Sequence, residues 1–330
     1  MPYRIVQIGV GPLGLKIYAM AQAKKSFTVV GAVDKHRDLK DKDIGRLAGK
    51  RAANVKIESN LKAALKGIQA DVAVLTTVSD MESITPQIEE IVSHGLHVVS
   101  TCEELTYAWE ESPHLAQRID RAAKEAGVAV LGTGVNPGFL MDALPTFFTG
   151  ICAKVDKIEV VRIQDAQFRR KPFMDKIGAG LTTDEFNERK AEGTLRHIGL
   201  TESMQFIANQ LGWKLDLTED SISAIVASKR IQTSAITIKA GRVAGIKQIG
   251  RAFIGSKEKI RLVFQASVGE AKPYDEIRII GEPQIVSKID GGVNGDVATC
   301  AITLNAIASV IHALPGLRSM ADVPMITCHM

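Results

Sequence analysis

Over residues 3–135, short apolar β-type runs alternate with amphipathic helical stretches, and that alternation leaves the chain few architectures. The runs are YRIVQIG, FTVVGAVD, VKIES, DVAVLTT, HVVST and VAVLG. Strands separated by a helix pair in parallel, because each helix carries the chain back to the same edge. The expected product is a doubly wound parallel sheet, an α/β fold. Helices are expected over LGLKIYAMAQAKK, MESITPQIEEIVSHG and SPHLAQRIDRAAKEAG, the last two closing at a glycine, where left-handed backbone ends a helix without strain.

After GTGVNPGFLMDALPTFFTG the texture changes to longer alternating runs, KIEVVRIQDAQF, IQTSAITIKAGRVAGI, EKIRLVFQASVG and YDEIRIIG. These read as neighbouring strands of an open sheet, with helices over TTDEFNERKAEG, LTESMQFIANQLG and GDVATCAITLNAIASVIHAL. A chain of 330 residues is long for one domain. The expected division is a nucleotide-binding domain over 1–137 and an α+β domain over 138–330, its last helix able to fold back on the first domain.

Charge and cysteine usage remove several function classes. Forty-one basic against 37 acidic residues leave a net charge of +4, with no dense basic run and interleaved aromatics, so nucleic acid is not an expected partner. Cys102, Cys152, Cys300 and Cys328 lack C-x-x-C or metal-ligand spacing, so no metal site is expected. No apolar run approaches the ~20 residues of a membrane span, and no charged segment precedes an apolar leader. The expectation is a soluble cytoplasmic protein.

Gly9, Gly11 and Gly14 form G-x-G-x-x-G, with Pro12 and Leu13 between the last two, after a strand and at the mouth of a helix. There the first glycine permits the turn, the second lets backbone approach a pyrophosphate, and the third lets helix and strand pack closely. Asp34, twenty residues past Gly14, ends the second strand and is placed to accept from an adenosine ribose. Its charge favours NAD over NADP, while Lys35, His36 and Arg37 could instead hold a 2′-phosphate. Thr76 and Thr77 end the strand DVAVL at the ligand-binding edge and are expected either to touch the cofactor or to form an ordinary loop.

At the same edge HVVSTCEEL presents Cys102, Glu103 and Glu104. Two consecutive carboxylates cannot face the same way, so one can enter the cleft as general base while the other faces solvent or caps a helix. Cys102 as a thiol nucleophile is the rival idea, with His197 as its base; inert packing is the alternative for the cysteine. Asn136, with Pro137 at a first helical position, reads either as a helix cap or as a contact to cofactor amide or substrate. Arg162, Arg169, Arg170 and Lys171 are available to a substrate carboxylate.

STCEEL, GTGVNPGFLMDALP, RRKPFMDKIGAGLTTDEF, RHIGLTES, GGVNGDVATCAITLNAI and PGLRSMADVP occur in order along nearly the whole chain. Together they resemble the 2,4-diaminopentanoate dehydrogenase and native amine dehydrogenase family. That resemblance implies a Rossmann domain, a sheet-bearing second domain that forms a homodimer, and NAD(P)-dependent oxidative deamination of an amine to a ketone and ammonia. By motif it implies that Glu104, with Glu103 as fallback, acts on the amine, that His197 lines the substrate pocket, and that Asn136 lies near the nicotinamide. Asn294 departs from the family, whose members often carry histidine there. The related dihydrodipicolinate reductases are expected to show a His-His pair and a D-A-P-S-G-T string, both absent here. A catalytically idle NAD sensor is the alternative of another class, and STCEEL counts against it.

Overall fold

The computed structural model describes residues 1–167, 171–195, 197–233 and 235–329. It forms two units, Met1–Phe139 with Gly295–Met330, and Leu140–Asn294. The first unit opens with strands β1 (Tyr3–Ile8), β2 (Phe27–Val33), β3 (Ile57–Glu58), β4 (Val72–Leu75), β5 (His97–Ser100) and β6 (Ala129–Gly132). Between them run helices α1 (Pro12–Ala21), α2 (Ile44–Leu47), α3 (Leu61–Ala64), α4 (Met81–Ser93) and α5 (Pro113–Glu125). As the sequence implies, α4 and α5 are followed by glycines with left-handed backbone, Gly95 at φ +72° and Gly127 at φ +69°.

The helix expected at Pro137 does not form. Asn136–Pro137 is a cis peptide inside a turn, and the next helix, α6 (Ala143–Phe148), is capped by Asp142, which accepts from the Ala143 N–H. Gly138 has φ +118°, which is not helical backbone, and the turn doubles back so tightly that a Cβ there would stand 2.5 Å from the Gly134 nitrogen. Asn136 is therefore a turn residue and not a helix cap.

The second unit carries β7 (Lys154–Asp165), then α7 (Lys171–Lys176), α8 (Thr183–Ala191) and α9 (Leu200–Gln210). Strands β8 (Leu217–Val226), β9 (Ile231–Gln232), β10 (Thr237–Ile238), β11 (Val243–Ile254), β12 (Lys257–Ser267), β13 (Tyr274–Glu282) and β14 (Ile285–Asp290) follow. β9 and β10 pair only with each other, and the remaining strands form one open mixed sheet in the order β14-β13-β7-β12-β11-β8. Alternation assigns its faces: Ile158, Val160, Ile260, Leu262, Ile277 and Ile279 are buried, and the positions between them stay partly exposed.

The chain then returns to the first unit through α10 (Gly295–Ile311) and β15 (Gly316–Arg318). The first sheet reads β15-β6-β5-β4-β1-β2-β3, every pair parallel. A parallel sheet must be covered on both faces. One face packs on α4 and α5 through Ala73, Leu75, Val98 and Val130. The other packs through Val72, Val74, Val99 and Leu131 on α1 and α10. Cys300, Leu304, Ile307 and Val310 are the buried stripe of α10, and residues 295–330 group with the first unit, the return that the sequence left open for the last helix.

His97 supplies a pH-sensitive element of that sheet. Its Nδ1 accepts the Ala129 N–H at 3.1 Å, so the folded form needs that nitrogen unprotonated. Burial pushes the imidazole below its ordinary value, with Asp71 opposing and His312 reinforcing the effect. The neutral ring therefore stabilises the fold fully above its unfolded pKa of about 6.5, and the contribution is lost as pH falls below that value. Thermal unfolding should show wild type losing more Tm between about pH 7.5 and pH 5.5 than His97→Asn, which keeps an acceptor that does not titrate; equal losses would contradict this.

Candidate functional site

The first unit builds a nucleotide cradle where the strand order reverses between β1 and β4. Gly9 has φ +86°, and a Cβ there would stand 2.7 Å from the Thr76 carbonyl. A Cβ on Gly14 would stand 2.1 Å from the Gly9 carbonyl, so no larger residue fits. Gly11 differs: nothing lies within 4 Å of where its Cβ would be. It also caps α1 without a side-chain hydrogen bond, Pro12 following at the first helical position. An open approach to helix N–H groups suits a pyrophosphate, so the residues fit a dinucleotide.

Polar side chains behind the loop hold it in shape. Thr76 Oγ1 donates to the Gly9 carbonyl at 2.9 Å, and Gln7 Nε2 donates to the same oxygen at 3.0 Å. Thr76 thus braces the loop, while exposed Thr77 donates to Gln87 at 2.9 Å. Asp34 accepts from the Val10 N–H at 2.7 Å and the His36 N–H at 2.8 Å, which pins its carboxylate beside the loop after β2.

Glu104 begins a short 3-10 turn, Glu104–Tyr107, beyond the carboxyl end of β5. Its Oε2 accepts the Met81 N–H at 2.8 Å, at the first turn of α4. Among the described residues its other oxygen, Oε1, accepts no hydrogen bond. Glu104 therefore closes the first turn of α4, the capping role that the sequence left to either carboxylate. Glu103 lies just before the turn, its carbonyl accepting from the Thr106 hydroxyl at 2.7 Å. Cys102 is fully buried, and burial pushes its thiol far up, which keeps it protonated and removes the nucleophile reading.

Within the second unit the register aligns one cross-strand row, Ile222, Gln248, Phe264, Arg162, Asp275 and Ile289. The His197 ring stacks on Phe264, centroids 4.4 Å apart and planes tilted by 31°. Arg162 is 1% exposed, with Nε 3.5 Å from Asp275 Oδ1 and Nη2 donating to the Val293 carbonyl at 2.8 Å. Gln164 donates to that carbonyl too, and Asp275 accepts the Val293 N–H at 2.7 Å. Burial pushes the Asp275 carboxyl up, against the pull of Arg162.

Three buried side chains thus clamp both polar groups of one residue, Val293. Leu140, Met141, Leu144 and Ile289 line a small pocket with the ion pair. The charge offered to a substrate carboxylate already has a partner. Arg169 and Arg170 lie outside the described residues, as does the side chain of Lys171. The sequence reading missed Gln7, Gln164, Asp275 and Gln248, although each is a polar residue at an apolar position of a strand. A polar group there must find a partner.

Among the described residues no His/Cys/Asp/Glu group could hold a metal ion, and no helix is long and apolar enough to cross a membrane. Residues 139–330 match the family described as the 2,4-diaminopentanoate dehydrogenase C-terminal domain, and residues 3–130 match the dihydrodipicolinate reductase N-terminus. The chain is 32% identical over 333 residues to a 2,4-diaminopentanoate dehydrogenase of Acetoanaerobium sticklandii, covering 98% of this chain and 93% of that one. A solved amine dehydrogenase from Mycobacterium smegmatis has a TM-score of 0.87 at 22% identity, over 99% of this chain and 97% of that one. A WlbA dehydrogenase from Bordetella pertussis, in complex with NADH and UDP-GlcNAcA, has a TM-score of 0.51 at 18% identity, over 93% and 88%. At those identities the two structures speak for the fold alone.

The clamp on Val293 makes Arg162 a stability residue. Arg162→Met leaves Asp275 buried beside no cation and should cost about 3–5 kcal/mol in urea unfolding. Adding Asp275→Leu should cost much less than the sum of the single losses. Unchanged stability with a raised KM for the amine would return Arg162 to the substrate.

Proposed function

The chain belongs to the 2,4-diaminopentanoate dehydrogenase family, and from that premise we propose that it is a cytoplasmic NAD(P)-dependent amine dehydrogenase. Its reaction is the reversible oxidative deamination of 2,4-diaminopentanoate or a small alkyl amine to a ketone and ammonia. The observation that carries the chemistry is the Glu104 carboxylate, held by one oxygen on the first turn of α4 beyond the carboxyl end of β5. A bound nicotinamide supplies the hydride acceptor, or the donor in reverse.

Hydride can leave the amine-bearing carbon only when the nitrogen lone pair is free. Glu104 Oε1 takes the ammonium proton, while Oε2 stays on the Met81 N–H and fixes the direction of the other oxygen. That proton passes on to solvent, so loss of hydride leaves an iminium beside an ionised carboxylate, which offsets its positive charge. Glu104 then takes a proton from the water that adds to the iminium carbon, returns it to the nitrogen, and takes the hydroxyl proton as ammonia departs and the ketone forms. His197, stacked on Phe264, contacts the substrate, and Asn136 contacts the nicotinamide amide. Gly9, Gly11, Pro12, Leu13 and Gly14 receive the pyrophosphate, with Thr76 and Thr77 at the same edge.

Asp34 sets a preference for NAD, because a carboxylate at the end of β2 accepts from ribose hydroxyls and repels a 2′-phosphate, and the Val10 and His36 N–H groups hold it in place. The open face of the second sheet presents Ile249, Val263 and Val161 side by side, each half-buried in a single copy. That row supports a homodimer, and a solution mass of one 35.6 kDa chain would exclude it.

Glu104→Gln keeps an acceptor for the Met81 N–H but cannot take the ammonium proton. It should lower kcat for amine oxidation by about 10² to 10⁴ while NAD affinity by titration stays nearly unchanged. Glu103→Gln should be mild; a dead Glu103→Gln beside an active Glu104→Gln would move the base by one residue, and full turnover in both would end this mechanism. In wild type kcat/KM should be higher with NAD than with NADP, and the reverse order would assign the pocket to Lys35, His36 and Arg37.

A further inference from the structure

A glutamine buried in the middle of a sheet must find partners for both ends of its amide. Gln248, on β11, has no exposed surface. Its Oε1 accepts the His197 backbone N–H at 2.8 Å, and its Nε2 donates to the His197 carbonyl at 3.0 Å. The same Nε2 donates to Asp220 Oδ2, on β8, at 2.7 Å. An ionised carboxylate only accepts, so Asp220 decides which end of the amide carries the hydrogens. The amide acts as a surrogate strand neighbour, gripping both polar groups of one residue in the irregular segment between α8 and α9.

The side chain of that residue is held from the next position of the sheet. Phe264 is the register partner of Gln248 on β12, and the His197 ring lies over it. One row of the sheet thus fixes backbone and imidazole together, so the ring has little freedom left.

We propose that Gln248, oriented by Asp220, is the positioning residue that aims His197 at the substrate. The inference rests on the reading that His197 contacts substrate. Gln248 acts only through His197, so its loss should weaken use of the amine and leave the cofactor alone.

Gln248→Glu keeps the size and the acceptor for the His197 N–H, but loses the donor to the His197 carbonyl and sets a second carboxylate beside Asp220. It should lower kcat/KM for the amine by about 10- to 100-fold, with KM for NAD within about twofold of wild type. In a His197→Ala background the same substitution should change kcat/KM by less than about twofold, since no ring remains to aim.

An equal loss in both backgrounds would mark a merely structural role and overturn the proposal. A normal Gln248→Glu beside an impaired His197→Ala would overturn it too, leaving His197 at the substrate. A normal His197→Ala would instead overturn the reading beneath it. If Gln248→Glu does not fold, Asp220→Asn, which keeps the shape and removes the orienting charge, should show the same dependence on His197, and its absence is the contrary result.

Discussion

A parallel sheet must be covered on both faces, and here one face is completed by a helix from the far end of the sequence, an arrangement from which much of this molecule follows. In the first unit α1 lies over one face with α10, which arrives from the far end of the sequence. Lys16 of α1 pairs with the buried Asp296 of α10 at 2.6 Å, tying the helix of the glycine loop to the returning one. The second unit is consequently an insertion, entered after Phe139 and left at Asn294. Its exit strand leads into Val293, which Arg162, Gln164 and Asp275 hold from both sides.

The same economy appears in the candidate site, where side chains that could be taken for chemistry also hold backbone. Glu104 closes the first turn of α4, Asp34 holds Val10, and Thr76 holds Gly9. Such contacts do not compete with function. A base or a ribose acceptor has to be aimed before its substrate arrives, and a backbone N–H aims it at no entropic cost on binding.

What the sequence discloses depends on the range of the interaction. The six N-terminal strands, the helix-ending glycines and the glycine loop are local signals, and each stands where its pattern places it. Thr182 and Glu185 form the capping box of α8, a signature written within four residues. β15 escapes notice because three residues, Gly316–Arg318, carry no periodicity and become a strand only beside β6. The turn at Asn136 has the composition of a helix start, and only the close approach of Gly138 to Gly134 shows otherwise. Arg162 reads from sequence as a free cation because Asp275 lies over a hundred residues away. Register, which period alone cannot supply, brings them opposite each other. Buried glutamines such as Gln248 are legible only as anomalies in an apolar pattern.

The central claim is that the hydride comes from an amine-bearing carbon whose bond to nitrogen is then cleaved. It is tested most directly by incubating the purified chain with NAD and a panel containing 2,4-diaminopentanoate and simple 2-aminoalkanes, and measuring reduced cofactor and ammonia together. The account predicts that at least one amine yields the two in equal amounts, with the matching ketone. Cofactor reduction without ammonia, or none with any amine while the chain still binds NAD, would contradict it.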